Sequence, residues 1–252
     1  MSIETQTDLL AIQEAGKAVA ITLRKMREYA KVGMSTKELD EYGYAILQSF
    51  GAEAAPKKDY NFPGYTCISI NDEVCHGIPS KDRLLQDGDL VNIDVSAELN
   101  GYYGDNGSSF ILGNDRQQLQ PLVDASKAIL RAAIQTIKSK MRISELGGYI
   151  EAEANKRGFK VIRNLCGHGI GRKLHEAPAE IPCFKDNYNR MRFRKNSVIA
   201  VETFISTQAE YAFETEDGWT MKTPDRSFVA QHEHTLIVTD EAPIILTMEN
   251  GI

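Results

Sequence analysis

The sequence predicts an α+β fold, and three observations carry that reading. Helical periodicity comes in pairs of segments, strand-like runs follow each pair, and a His-Gly turn followed by an acid-bearing strand occurs twice. Residues 7–30 set Leu10, Ile12, Ala15, Val19, Leu23 and Met26 close to one helical stripe. Ser35 and Glu38 have capping-box spacing and open a second helix that runs to Gly51. A third helix is expected over 117–138, with Pro121 near its first turn, where a missing N–H costs least. A fourth spans 144–157 and stops at Gly158. Strands are expected at 66–70, 90–96, 102–112, 198–205 and 234–238. No Pro/Gly/Ser-rich linker interrupts the chain, so residues 1–252 read as one domain.

The internal echo is specific enough to shape the search for a site. Cys75-His76-Gly77-Ile78 precedes the strand containing Asp94, and Cys166-Gly167-His168-Gly169-Ile170 precedes the strand containing Glu202. Two similar halves facing each other across a shared site would produce this repetition.

Charge and cysteine usage exclude several classes. The net charge of -6 and pI near 5.5, with charges interspersed, do not suit a nucleic-acid binder. The first residues show no basic stretch leading into an apolar core, and no apolar run has transmembrane length. A cytoplasmic protein is expected. Cys67, Cys75, Cys166 and Cys183 form no C-x-x-C pair, so neither a zinc finger nor a thioredoxin-like site is indicated. They read as free thiols that pack as small apolar groups.

Asp94, Asp105, His168, Glu202 and Glu233 make a hard, oxygen-rich set whose charge matches two divalent cations. Local sequence aims the first two. Residues 90–96 alternate apolar and polar, with Asn92, Asp94 and Ser96 on one face, and Asn100-Gly101 is a strong hairpin signal. A two-residue turn pairs Leu99 with Tyr102, Ser96 with Asp105 and Asp94 with Gly107. Asp94 and Asp105 are then diagonal neighbours, roughly 7 to 8 Å apart at Cα, able to hold ions about 3.5 to 4 Å apart. A bulge near Gly104 would shift this count by one, and an exposed pair of hairpin acids is an equally good reading of these two residues alone.

Glu202 interrupts an otherwise apolar run, where an ionised carboxylate is costly unless it is paired, metal-bound or at a strand end reaching solvent. Glu233 lies between His232 and His234, which strand alternation puts on the opposite face. His234 therefore reads as a core or supporting histidine. Gly167–Gly171 is no dinucleotide loop, since Pro178 and Pro182 follow where a helix would have to open, and His175-Glu176 lacks the second His of a zincin helix. The glycines instead let backbone approach a neighbouring strand while His168 projects.

Taken in order, residues 71–79 (NDEVCHGIP), 87–95 (DGDLVNIDV), Gly104-Asp105, Gly167–Gly171 with His175, and 231–235 (QHEHT) resemble the type I methionine aminopeptidases. The resemblance implies the pita-bread fold, two pseudo-symmetric halves around a central antiparallel sheet, in the short form without an N-terminal extension. It implies removal of the initiator methionine from nascent polypeptides, with preference for a small second residue. Position by position, Asp94 would chelate one metal, Asp105 and Glu233 would bridge two, and His168 and Glu202 would complete the second. His76 and His175 match substrate-facing histidines, Glu202 is the candidate for proton transfer, and Phe62, Cys67 and Trp219 match positions lining the methionine pocket. Cobalt, manganese, iron and zinc all accept these donors. The expected partners are N-terminal methionine and a transient ribosome contact, with no membrane or specific nucleic acid, and the chain is expected to be a monomer. Two other readings compete: a prolidase or Xaa-Pro aminopeptidase with the same metal centre, and a non-catalytic pita-bread binding protein.

Three positions depart from the family pattern. Thr203 follows Glu202 where proline is common, Asn106 follows Asp105 where a hydroxyl residue is usual, and Leu174 precedes His175 where many members carry an aromatic. Without proline, Glu202 is expected to be held less rigidly, so that Thr203→Pro would tighten the weaker metal site, provided the Thr203 N–H is free.

Overall fold

Helix α1 (Gln6–Tyr29) starts where Thr5 and Asp8 cap each other: the Asp8 N–H donates to Thr5 Oγ1 at 3.0 Å and the Thr5 N–H to the Asp8 carboxylate at 2.9 Å. Ser35 and Glu38 do the same for α2 (Thr36–Ser49), as their spacing predicts. The computed structural model describes residues 1–252. After α2 come β1 (Glu53–Ala54), the short α3 (Ala55–Tyr60), β2 (Cys67–Ile70), β3 (Glu73–Cys75), β4 (Leu90–Leu99) and β5 (Tyr102–Ile111).

The second half repeats the plan. Helices α4 (Gln120–Thr136) and α5 (Ile143–Lys156) lead into β6 (Lys160–Val161), β7 (Cys166–Gly169), β8 (Glu176–Pro182) and β9 (Val198–Ser206). Then follow β10 (Phe213–Glu214), β11 (Met221–Lys222), β12 (Val229–Ile237) and β13 (Ile244–Ile245). Helix α4 begins three residues later than the periodicity suggests because Asp115, outside the helix, accepts the Leu119 and Gln120 N–H groups at 2.8 Å each. Such a remote cap leaves no signature at the usual spacing.

One antiparallel sheet runs β1-β4-β5-β12-β9-β7-β8, with β2 joining β4, β6 joining β9 and β13 joining β12. The two halves meet at β5 and β12, where His232 faces Ser108. A short strand after each helix pair docks on the acid-bearing strand of its own half: β1 on β4 and β6 on β9. Along β4, Val91, Ile93 and Val95 face the α1–α2 core, and along β9, Ile199, Val201 and Ile205 face the α4–α5 core. Each such buried aliphatic side chain contributes about 1.5 to 3 kcal/mol. Alternation leaves Asn92, Asp94 and Ser96 of β4, and Glu202 and Phe204 of β9, on the other face.

Several elements lie outside what periodicity reveals. Strand β12 begins five residues before the expected start because all nine of its residues are buried, so the polar run Gln231–Thr235 is interior and shows no alternation. Strand β8 contains Pro178 and Pro182, which are tolerated because it is the last strand on its side of the sheet.

Candidate active site

The β4–β5 register is the one counted from the turn: Leu99 pairs with Tyr102, Ala97 with Gly104, Ser96 with Asp105 and Asp94 with Gly107. Asn100 and Gly101 both have positive φ, 53° and 81°, as a type I′ turn needs, and no bulge intervenes at Gly104. Asp94 and Asp105 therefore share a face as diagonal neighbours.

On the other half, Glu202 and Glu233 are direct partners across β9 and β12. Gln231 lies between the carboxylates: its Nε2 donates to Glu202 at 3.1 Å and to Glu233 at 3.2 Å, and its Oε1 accepts from Asn92 Nδ2 at 2.8 Å. Gly107 makes room for it, since a Cβ there would land on the Gln231 amide. Gln231 stands in the run QHEHT, which by itself assigns it no role. The signal was present in alternation, which puts residues 231 and 233 on one face.

His168 arrives on β7, where Gly167 and Gly169 permit close approach as expected. A Cβ at 167 would meet the Ala200 carbonyl, and one at 169 the Ala177 carbonyl. The His168 Nδ1–H donates to the Gly169 carbonyl at 3.0 Å, which fixes the tautomer and turns a free Nε2 toward Asp105, 3.7 Å from its Oδ2. Ligand atoms of Asp105, His168 and Glu233 all lie within 4.8 Å of one another, and the buried Oδ1 of Asp105 has no partner.

Burial raises all four carboxyls above their usual range. The Asp94 charge raises Asp105 and Glu202 further, and for Glu233 the Asp105 charge adds most after burial. Burial, with His175 beside it, holds His168 down to about 4, so its imidazole is neutral near pH 7. Four crowded acids, one orphaned oxygen and one free imidazole nitrogen fit divalent cations, which would relieve the repulsion and satisfy the orphan.

These groups floor a cavity of about 400 Å³, and all ten residues singled out from sequence line it: Asp94, Asp105, His168, Glu202, Glu233, His76, His175, Phe62, Cys67 and Trp219. Phe62 and Trp219 meet edge to face with centroids 5.2 Å apart, and Cys67 pairs with Asp94 across β2 and β4. His175 and His168 have ring centroids 4.2 Å apart. Tyr60, Leu165 and Phe204, which carry no motif, also line the cavity, as does Cys166 of the His-Gly echo. His232 and His234 point away as alternation predicts, to Ser126 at 3.0 Å and Thr247 at 2.8 Å.

Residues 11–240 match the profile of metallopeptidase family M24. The chain belongs to that family. Methionine aminopeptidase 2 of Bacillus subtilis (strain 168) is 47% identical over 247 residues, covering 98% of this chain and 99% of the relative. The crystal structure of a methionine aminopeptidase from Thermotoga maritima superposes with TM-score 0.93 at 34% identity, covering 98% of this chain and 99% of that one. A prolidase from Pyrococcus furiosus shares the fold with TM-score 0.76 at 21% identity, and only 65% of its chain is covered. The M24 chain thus has the pita-bread fold, and metal-dependent peptide hydrolysis is the chemistry of its family.

The three departures from the family pattern fall mainly on structural roles. Asn106 donates to the Val95 carbonyl at 3.1 Å, and Leu174 is buried in the α1–α2 core at the cavity wall. Thr203 needs a correction. The Glu202 carbonyl accepts from Cys183 and the Phe204 carbonyl from Ile162, both on the side away from β12. Strand alternation then turns the Thr203 N–H toward β12, opposite its partner His232. The N–H is not free, and proline at 203 would cost a ladder hydrogen bond rather than tighten the metal site.

Proposed function

We infer that this M24 chain is an aminopeptidase that removes N-terminal methionine, including the initiator residue of nascent polypeptides, with preference for a small second residue. The observation that carries the inference is the cavity itself, with clustered acids and His168 at its floor and Phe62, Trp219 and Cys67 in its wall. Asp94, Asp105, His168, Glu202 and Glu233 would hold two divalent cations. Cations bound there supply Lewis acidity, which polarises the scissile carbonyl and lowers the pKa of a water.

The remaining work falls to side chains. Glu202 accepts the proton of the attacking water, since its carboxylate lines the cavity beside the acids that would hold the cations. His175 donates to the tetrahedral oxygen as negative charge develops. His76, held at positive φ at the cavity lip, contacts the peptide nitrogen. Phe62, Trp219 and Cys67 give the thioether aromatic and sulfur neighbours.

No helix is long and apolar enough to cross a membrane. A cytoplasmic monomer that contacts the ribosome transiently completes the proposal. Hydrolysis of Met-Ala, N-acetyl-Met-Ala and Ala-Pro peptides by protein loaded with manganese, iron, cobalt or zinc tests it. Cleavage of the first alone is expected. Preference for Ala-Pro would assign the chain to prolidase-like chemistry, and inactivity with every metal would make it a binding protein.

A further inference from the structure

Tyr60 is the last residue of α3, and Asn61, at φ 59°, ends that helix in the left-handed conformation. The Asn61 N–H closes onto the Lys57 carbonyl at 3.2 Å and the Phe62 N–H onto the Pro56 carbonyl at 3.2 Å. This tight turn directs both Tyr60 and Phe62 into the cavity wall. The Tyr60 hydroxyl lies 2.6 Å from His175 Nδ1, and the two rings meet edge on with centroids 5.5 Å apart. No other side-chain partner is present for either atom.

We propose that Tyr60 is a positioning residue that fixes His175 in its Nε2–H tautomer. A phenol is the stronger acid of the two and an imidazole nitrogen the stronger base, so the proton of this hydrogen bond sits on Oη and Nδ1 accepts it. A neutral imidazole that accepts at Nδ1 must carry its proton on Nε2. His175 then presents a donor to the developing oxyanion. Neighbouring His168 is fixed in the opposite tautomer by the Gly169 carbonyl, leaving Nε2 a lone pair for a cation. Two neighbouring imidazoles, tilted 51° to each other, are thus set to opposite tasks by their Nδ1 partners, one a phenol and one a carbonyl.

The catalytic part of this proposal rests on the aminopeptidase reading, whereas the tautomer does not. ¹⁵N-labelled protein, with and without Mn²⁺-competing Zn²⁺, would be compared with Tyr60→Phe by imidazole NMR, alongside steady-state hydrolysis of a Met-Ala peptide. Wild type should show His175 as Nε2–H, and Tyr60→Phe a mixture of tautomers with His168 unchanged. Its kcat should fall about tenfold, the worth of one neutral hydrogen bond, with KM nearly constant. An Nδ1–H tautomer in wild type, or an unchanged tautomer in Tyr60→Phe, would overturn the proposal. Absence of hydrolysis by wild type would overturn the aminopeptidase reading, while the NMR comparison would still decide what Tyr60 does.

Discussion

Glu202 and Glu233 stand directly opposite each other on β9 and β12, two carboxylates on adjacent strands with only the Gln231 amide between them. Like charges placed directly across a strand pair are destabilising, and here Glu233 is buried and Glu202 half-buried. The fold keeps this unfavourable pair at the centre of its sheet, where it can serve as half of a cation site.

Glu202→Gln is expected to leave the protein folded and remove most turnover. The amide keeps the shape, loses the proton acceptor, and relieves repulsion with Glu233. General acid–base groups contribute about 100- to 10,000-fold. Melting of the metal-free variant should occur at or above the wild-type temperature, and retention of over half the wild-type kcat would remove Glu202 from its assigned role.

Metal stabilisation should grow with pH. A carboxyl whose folded pKa is raised contributes stability that is full below its unfolded pKa, about 4, and is lost as pH rises through the folded value. The four acids therefore destabilise the metal-free protein increasingly toward neutrality. His168, held down to about 4, must also be neutral to ligate. The difference in melting temperature between Mn²⁺-loaded and metal-free protein should rise from pH 5 to pH 8. A difference that is flat or falls over this range would contradict the assignment of these groups as ligands.

His175→Ala should lower kcat more than it changes KM, since the hydrogen bond it offers strengthens as the oxyanion forms. An effect confined to KM would reduce His175 to a ground-state contact.

Trp219→Ala should cut kcat/KM for Met-Ala through KM. The half-buried indole closes edge-on over Phe62, and losing such an apolar wall costs about 1.5 to 3 kcal/mol, roughly 10- to 100-fold. Metal content should be unchanged. Loss of metal would mean that the indole supports the acids rather than the substrate.

Much of this site was legible because strand periodicity and turn geometry are local properties. Asn100-Gly101 set the register that brings Asp94 diagonal to Asp105, and alternation sent His232 and His234 away from Glu233. What one sequence could not place depends on contacts between distant segments. Tyr60 meets His175 across 115 positions, and Gln231 meets Asn92 across 139. The condition on Thr203 was out of reach for the same reason: whether its N–H is free depends on which side β12 packs, and that is absent from the local pattern.

Gln231 offers the most discriminating test of the strand-crossing design. Its Nε2 is shared between Glu202 and Glu233 and its Oε1 is held by Asn92, so the amide fixes both acids at one separation. Supporting partners of metal ligands contribute about 10- to 100-fold in affinity, and Gln231→Ala should weaken Mn²⁺ binding by that factor. The same contact can be disturbed from the opposite strand, because a methyl group at Gly107 would meet the Gln231 amide first. Gly107→Ala and Gln231→Ala should therefore weaken Mn²⁺ binding alike, and the double variant should be little worse than either, since both act on one element. Calorimetric titration of metal-free protein measures all three. Fully additive losses would mean that Gly107 and Gln231 act on the site independently, and that the amide does not set the spacing of the two acids.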